Sequence, residues 1–293
     1  MDWCLNCGGQ GTPVPSPADY PLRRCGNCAL VYAEAWREGF DASHDDHYAS
    51  QSDDGWQPDE LSLDRCVGLL DQLQAKVRGR RLLDVGCGRG EIVEAGVRAG
   101  WDPLGIDLSR AAIDQCERRR LPCRVLGLFD PELDARRFDV IVMSEFIEHV
   151  AHPRRHLERA RQLMRAGGRV YITTPNFNSL SHRITGAGWG VIGKGHVAYY
   201  TPATLRAILG AAGLVVESLT TRNISLAAIR AVLPATRAVA PRSGRSAADP
   251  WLETQHLRHQ IERSKVLTLA KTGANAVLCS LGAGDTIIAV AHA

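Results

Sequence analysis

Several residues in this chain are spaced for chemistry. Cys4 and Cys7 form one C-x-x-C pair and Cys25 and Cys28 a second. Two such turns can bring four thiolates together, the tetrahedral set of a structural Zn²⁺ site with no open coordination position. The competing readings are four incidental cysteines or a redox dithiol, which would need only one pair. Further along, Gly86, Gly88 and Gly90 follow a strand-like run at 82–85, apolar except for Asp84, and precede a helical pattern. Glycines at alternate positions let a chain turn sharply from strand to helix and let a ligand lie against bare N–H groups. Asp107 ends the next apolar run, at the place where a carboxylate accepts from the two hydroxyls of a ribose. His149 stands at a strand end and His196 behind a Gly-rich loop, and an imidazole titrates in the range useful to a general base.

The elements that must hold these residues read as alternating strands and helices. Leu63, Val67, Leu70, Leu73 and Val77 recur at helical spacing over 61–77. After the strand at 82–85 comes a helix over 91–99, a strand over 103–107, a helix capped by Ser109 and a short strand over 123–126. Residues 138–143 form an apolar run interrupted only by Asp139, as expected of a parallel strand buried on both faces. It ends in Ser144-Glu145 and then Glu148-His149, at the strand's carboxyl end, where open α/β sheets bind ligands. Pro153 opens an Arg-rich helix, read as a solvated face, that runs to Gly167-Gly168. A fifth strand covers 169–174, and 176–194 fits neither period and reads as a functional loop. A helix over 202–212, a strand over 214–219 and a last strand over 285–291 follow. The expected fold class is α/β, a doubly wound, mostly parallel seven-stranded sheet. The expected division is a zinc-ribbon-like module at 1–35, a linker or lid at 36–60, a main domain at 61–221 with 285–293, and a helical insertion at 222–284.

The stretch Leu82-Leu-Asp-Val-Gly-Cys-Gly-Arg-Gly90 resembles the first motif of the class I S-adenosylmethionine-dependent methyltransferases. The resemblance continues through Ile106-Asp107-Leu108-Ser109, the run from Phe138 to Val150, and the strand ending at Asn176, covering roughly residues 60 to 220 in the family's order. Within that family the chain resembles sugar and secondary-metabolite methyltransferases that carry the same Cys-pair head and, more distantly, ubiquinone-type O-methyltransferases. The resemblance implies that Gly86, Gly88 and Gly90 hold the methionine end of the cofactor, and that Asp84 orients its ammonium. Asp107 would take the ribose hydroxyls, Leu108 would flank the adenine, and Ser144 would lie on the cofactor side of the site. His196, or His149, would serve as base for a hydroxyl acceptor, and Glu145 or Tyr199 for a carbon acceptor. Tyr48 is a candidate to close over the cofactor. The chain departs from the pattern after the third strand, where the family's acidic contact to adenine is replaced by Gly127-Leu128-Phe129, with Asp130 next.

With 293 residues, 45% apolar and 23% charged, the chain can bury a full α/β core and a small module besides. No apolar run reaches the ~18 residues of a membrane span and the acidic start is unlike a signal peptide, so a cytoplasmic location is expected. Nine cysteines, an odd count with four in close pairs, point to reduced thiols and a metal rather than disulfides. Residues 1–60 hold eleven acidic and three basic side chains, whereas 222–272 hold nine basic and three acidic. A head that gripped RNA would be basic and rich in stacking aromatics. A small-molecule substrate is therefore expected, with an rRNA methyltransferase as the alternative and a degenerate binding module as a third reading opposed by the intact turn and Asp107. The basic insertion is the candidate face for an anionic substrate or a membrane surface.

Overall fold

The computed structural model describes residues 3–34, 57–193, 195–223, 272–273 and 276–293. Tyr48 and most of 222–284 lie outside them. The central sheet is built from β4 (Arg81–Val85), β5 (Asp102–Asp107), β6 (Cys123–Val125), β7 (Phe138–Ser144), β8 (Met164–Pro175), β10 (Val215–Arg222) and β11 (Thr286–His292). Their order is β10-β11-β8-β7-β4-β5-β6, with β11 antiparallel to both neighbours and the pairs from β8 to β6 parallel. This is the expected doubly wound, seven-stranded α/β sheet.

Burial explains the strands. Residues alternate between faces along β4: Leu83 and Val85 enter a core with Ile106, Ile141 and Leu157, while Leu82 joins Leu63, Leu70 and Leu73 on the other face. Those three leucines come from α1 (Glu60–Gln74), capped by the Asp59 carboxylate accepting from Ser62 N–H. In α2 (Glu91–Arg98) the cap is Gly90 in the left-handed region. Ser109 caps α3 (Arg110–Arg118) through Ala112 N–H.

Three boundaries differ from the sequence reading. The Arg-rich helix α4 (Pro153–Leu163) stops well before the glycines, because Met164 already pairs with Phe138 at the start of the long strand β8, which is bulged there. The loop read over 176–194 holds a short helix, α5 (Leu180–Thr185), started by Ser179 accepting from His182 N–H; six residues are too few to show a 3.6-residue period. After it, Ala198–Tyr199 forms a strand, β9. The next helix, α6 (Pro202–Ala211), opens on a capping box between Thr201 and Thr204.

That two-residue strand ties the Cys-bearing head to the rest. The head folds as β1 (Gly11–Val14), β2 (Leu22–Cys25) and β3 (Val31–Ala33), and β9 completes its sheet as the fourth strand, in the order β1-β2-β3-β9. Val31 pairs with Tyr199 and Tyr32 with Ala198. Ala33 N–H donates to Val197 O at 3.0 Å, and His152 Nδ1 meets Leu5 O at 3.0 Å. Cys4, Leu5, Cys25, Leu30 and Tyr32 share one core with Leu157 and Tyr200. Among the described residues no helix is long and apolar enough to cross a membrane.

Candidate active site

A cavity of about 200 Å³ opens at the carboxyl ends of β4 to β7. Here β4 lies between β5 and β7, so the chain leaves it in opposite directions and a crevice opens between the two crossovers. Val85 and Gly86, then Asp107 and Leu108, form one side. Leu126 to Phe129 form another, and Glu145, Phe146, His149, Val150 and His156 close the third.

The turn after β4 shapes the floor. Gly86 has φ +70, and a Cβ there would stand 2.8 Å from the Phe146 ring, so only glycine keeps both the turn and that contact. Asp107 faces the turn: its Oδ2 accepts from Gly88 N–H at 2.9 Å and its Oδ1 from Ser109 N–H at 2.9 Å. Two backbone donors fix the carboxylate, and each oxygen retains a lone pair for a further donor. Leu108 and Phe129 are about half exposed at the mouth, 53% and 49%, and offer apolar faces for a flat ring. Asp84, beneath the turn, is 3% exposed. Burial first, and then the nearby charge of Asp107, push its carboxyl up to about 8. A buried carboxyl held neutral beside an accessible turn is suited to a cationic ligand group, whose charge would restore the carboxylate.

The third wall is built where β7 ends. Ser144 Oγ bonds Thr173 Oγ1 at 3.0 Å. Glu145 takes the left-handed region, φ +50, held there by its N–H donating to Thr173 O at 3.0 Å and Oγ1 at 3.1 Å. This bend exposes Glu145 at the cavity and leads into the short turn Ile147–His149. The Glu148 side chain points inward: Thr174 Oγ1 donates to its Oε2 at 3.0 Å, Oε1 has no hydrogen-bond partner among the described residues, and burial pushes its carboxyl well up. His149 Nδ1 lies 2.6 Å from Gly195 O, a contact that needs the proton on Nδ1. The His196 ring packs edge-on behind it, centroids 4.7 Å apart, with its own Nδ1 on Val191 O at 2.8 Å. Tyr20 of the head donates to His196 O at 2.9 Å. Ligand atoms of Glu148, His149 and His196 fall within 4.8 Å of one another.

The fold therefore gathers Gly86, Asp107, Leu108, Glu145 and His149 around one cavity. Asp84, Gly88, Gly90 and Ser144 support its walls from behind, and His196 touches it through His149. Tyr199 stands elsewhere: its ring packs with Phe177 and Trp189, and its hydroxyl accepts from Gly193 N–H at 3.3 Å. Asp130 is spent as a local cap, accepting from Glu132 N–H at 2.9 Å. The sequence reading missed Phe146, Val150 and His156. His156 lies within the arginine run of α4, and only the helix's phase, which sends Leu157 into the core and His156 between the Phe129 and Phe146 rings, marks it.

In the head, the four cysteine sulfurs lie within 4.8 Å of one another. Cys4 and Cys28 stand 3.6 Å apart, Cys7 and Cys25 3.4 Å. Asn6 and Asn27 N–H groups point at Cys4 and Cys25 sulfur, both at 3.4 Å, in the manner of metal knuckles. Sulfurs on a tetrahedral ion at about 2.3 Å are separated by about 3.8 Å. The donor set fits Zn²⁺ without rearrangement of the backbone.

Residues 62–219 match the family described as Methyltransferase domain. A curated relative named Ubiquinone biosynthesis O-methyltransferase, from Coxiella burnetii, is 33% identical over 124 residues, 39% of this chain and 52% of the relative. One of the same name from Acinetobacter baumannii is 30% identical over 125 residues. The chain spans about half the length of these curated relatives. Among solved structures, a SAM dependent methyltransferase from Archaeoglobus fulgidus superposes with a TM-score of 0.52 at 20% identity, covering 79% of this chain and 93% of that one. An S-adenosylmethionine dependent methyltransferase from Mesorhizobium loti gives 0.50 at 17% identity, covering 79% and 100%. The chain belongs to the methyltransferase domain family, and its cavity lies at the strand tips of a sheet that shares its fold with those solved methyltransferases.

Proposed function

We propose that the protein moves the methyl group of S-adenosylmethionine to a hydroxyl of a small molecule: a sugar, a glycolipid-linked saccharide or a natural product. The observation that carries the proposal is the pairing of a clamped carboxylate, Asp107, with an imidazole, His149, across a single cavity. When bound, the cofactor supplies a methyl carbon on a cationic sulfur, already activated for in-line displacement. The protein's task is then alignment, which intramolecular models value at roughly 7–11 kcal/mol.

In this reading Gly86, Gly88 and Gly90 seat the methionine end and Asp84 balances its ammonium. Asp107 accepts from the ribose hydroxyls. Leu108 and Phe129 cover the adenine, and His156 replaces the missing acidic residue at its edge. Ser144 and Thr173 brace Glu145 beside the reacting centre. The His149 imidazole accepts the acceptor's hydroxyl proton, and His196 holds the ring in place. This assignment reverses the sequence preference for His196, because it is His149 that lines the cavity. Glu148, His149 and His196 also make a donor set for a divalent cation, which would bind the acceptor oxygen directly. Loss of turnover in EDTA, restored by Mg²⁺, would favour that second reading over His149 as base.

We assign Zn²⁺ to Cys4, Cys7, Cys25 and Cys28 as an architectural ion, and the basic residues of 222–272 to the anionic part of the acceptor. The curated relatives are named for O-methylation, which supports an oxygen acceptor. The test is incubation with methyl-labelled cofactor and a panel of sugars, nucleotide-sugars, quinols and natural-product alcohols, read by mass spectrometry. A labelled hydroxyl on a saccharide or natural product is the expected result; label on a quinol alone would move the protein to the curated relatives' substrate class. Label on RNA, with binding that weakens steeply in salt, would favour the rRNA reading.

A further inference from the structure

Three cysteines outside the head converge beneath the glycine turn. Cys87 lies within the turn, Cys116 on the last turn of α3 and Cys123 at the start of β6; all three are buried and their sulfurs lie within 4.8 Å of one another. The neighbouring backbone is cleared for them. A Cβ on Gly105 would stand 2.7 Å from Cys123 Sγ and 2.8 Å from Cys87 Sγ, and one on Gly90 would stand 2.9 Å from Cys116 Sγ. Val93, Ile113 and Leu121 complete the enclosure. Sulfurs around one ion at about 2.3 Å are about 3.8–4.0 Å apart, so the trio needs to contract by no more than about 1 Å.

We propose that Cys87, Cys116 and Cys123 form a binding site for a soft, thiophilic cation of the Cu(I) or Cd²⁺ type, separate from the head, and that its occupancy alters the turn that seats the cofactor. An all-sulfur set selects soft ions over Mg²⁺ or Ca²⁺. Binding forms three metal–sulfur bonds and releases the thiol protons to solvent, with no electron transferred. Cys116 Sγ also contacts Gly88 O at 3.4 Å, and Gly88 N–H is the group that holds Asp107. Drawing the sulfurs onto an ion therefore moves the peptide that orients the carboxylate. This second half rests on the proposed cofactor site.

Cd²⁺ is the probe, because thiolate-to-metal charge transfer reports each sulfur site. The full chain, dialysed against chelator under reducing conditions, is titrated as wild type, Cys4→Ser, Cys116→Ser, Cys123→Ala and Cys279→Ser, with far-ultraviolet circular dichroism confirming the fold of each. Cys116→Ser or Cys123→Ala should lose one equivalent of tightly bound Cd²⁺, Cys4→Ser a different equivalent, and Cys279→Ser none. A folded Cys116→Ser or Cys123→Ala that binds as many equivalents as wild type overturns the site. In the Cys4→Ser background, Cd²⁺ should change the Kd for S-adenosylhomocysteine by about fivefold or more. An unchanged Kd overturns the coupling, whereas no binding of S-adenosylhomocysteine with or without Cd²⁺ overturns the cofactor reading instead.

Discussion

Tyr32, in the Cys-bearing head, is the sheet partner of Ala198, two residues past His196. The two Cys-pair turns and the wall that holds the imidazoles are thus neighbours in one small sheet, with Tyr20 and Leu5 adding hydrogen bonds to His196 and His152.

Chelating the Zn²⁺ proposed for the head, or Cys4→Ser, should therefore act on catalysis through this sheet. Misplacing His149 by an amount that costs about 1.4 kcal/mol lowers kcat tenfold. Steady-state kinetics with zinc-depleted protein should show a fall of about that size with little change in the Kd for S-adenosylhomocysteine. A larger loss in cofactor affinity than in kcat would place the head's role elsewhere.

Asp107→Ala removes a carboxylate that accepts from Gly88 and Ser109 N–H and, in the proposed reading, from the ligand. Hydrogen bonds to a charged group contribute about 1.5–3 kcal/mol, so calorimetry should find S-adenosylhomocysteine bound about 10- to 100-fold more weakly, with the melting temperature little altered. An affinity equal to wild type would remove Asp107 from the site.

Asp84 carries a pH signature. Its folded pKa, about 8, lies above the ~3.9 of an unfolded aspartate, so folding prefers the protonated form. That preference is complete below about pH 4 and is lost as pH rises through about 8. Asp84→Asn should accordingly raise the melting temperature of the cofactor-free protein at pH 8.5, by roughly 2–4 °C for each kcal/mol. The same variant should bind the cofactor more weakly. In wild type a bound ammonium stabilises the carboxylate, so binding at pH 7 should release a proton, seen by calorimetry in buffers of different ionisation enthalpy. Proton uptake would contradict the assignment.

His149→Ala should lower kcat by about 10²- to 10⁴-fold while leaving cofactor binding intact. His196→Ala, acting through the neighbouring ring, should cost less. Tyr199→Phe removes one hydrogen bond from the aromatic cluster and should cost about 1 kcal/mol of stability with turnover unchanged. If His196→Ala is the more damaging of the two histidine variants, the roles assigned to them are exchanged.

Much of this was legible in the chain. Periodicity located the core strands and helices because each is buried on a regular face, and the sheet forced the turn at Gly86 and the carboxylate at Asp107 to its carboxyl edge. Local chemistry also announced the thiol pairs, since two knuckles need only a few residues each. Short or irregular pieces were not legible. Six residues of α5 and two of β9 are below the length at which a period can be seen, and the end of α4 was decided by Met164 pairing with Phe138.

By itself the sequence determined the order of the elements, the glycine turn, the acidic residue opposite it and the four thiols of the head, because each depends on spacing along a few residues of chain. The tertiary structure alone decided that His149 and not His196 lines the cavity, that Tyr199 packs away from it, and that Cys87, Cys116 and Cys123 meet under the turn. Those relations join residues far apart in the chain, and they are set by how the strand ends and crossovers pack, which no local pattern encodes.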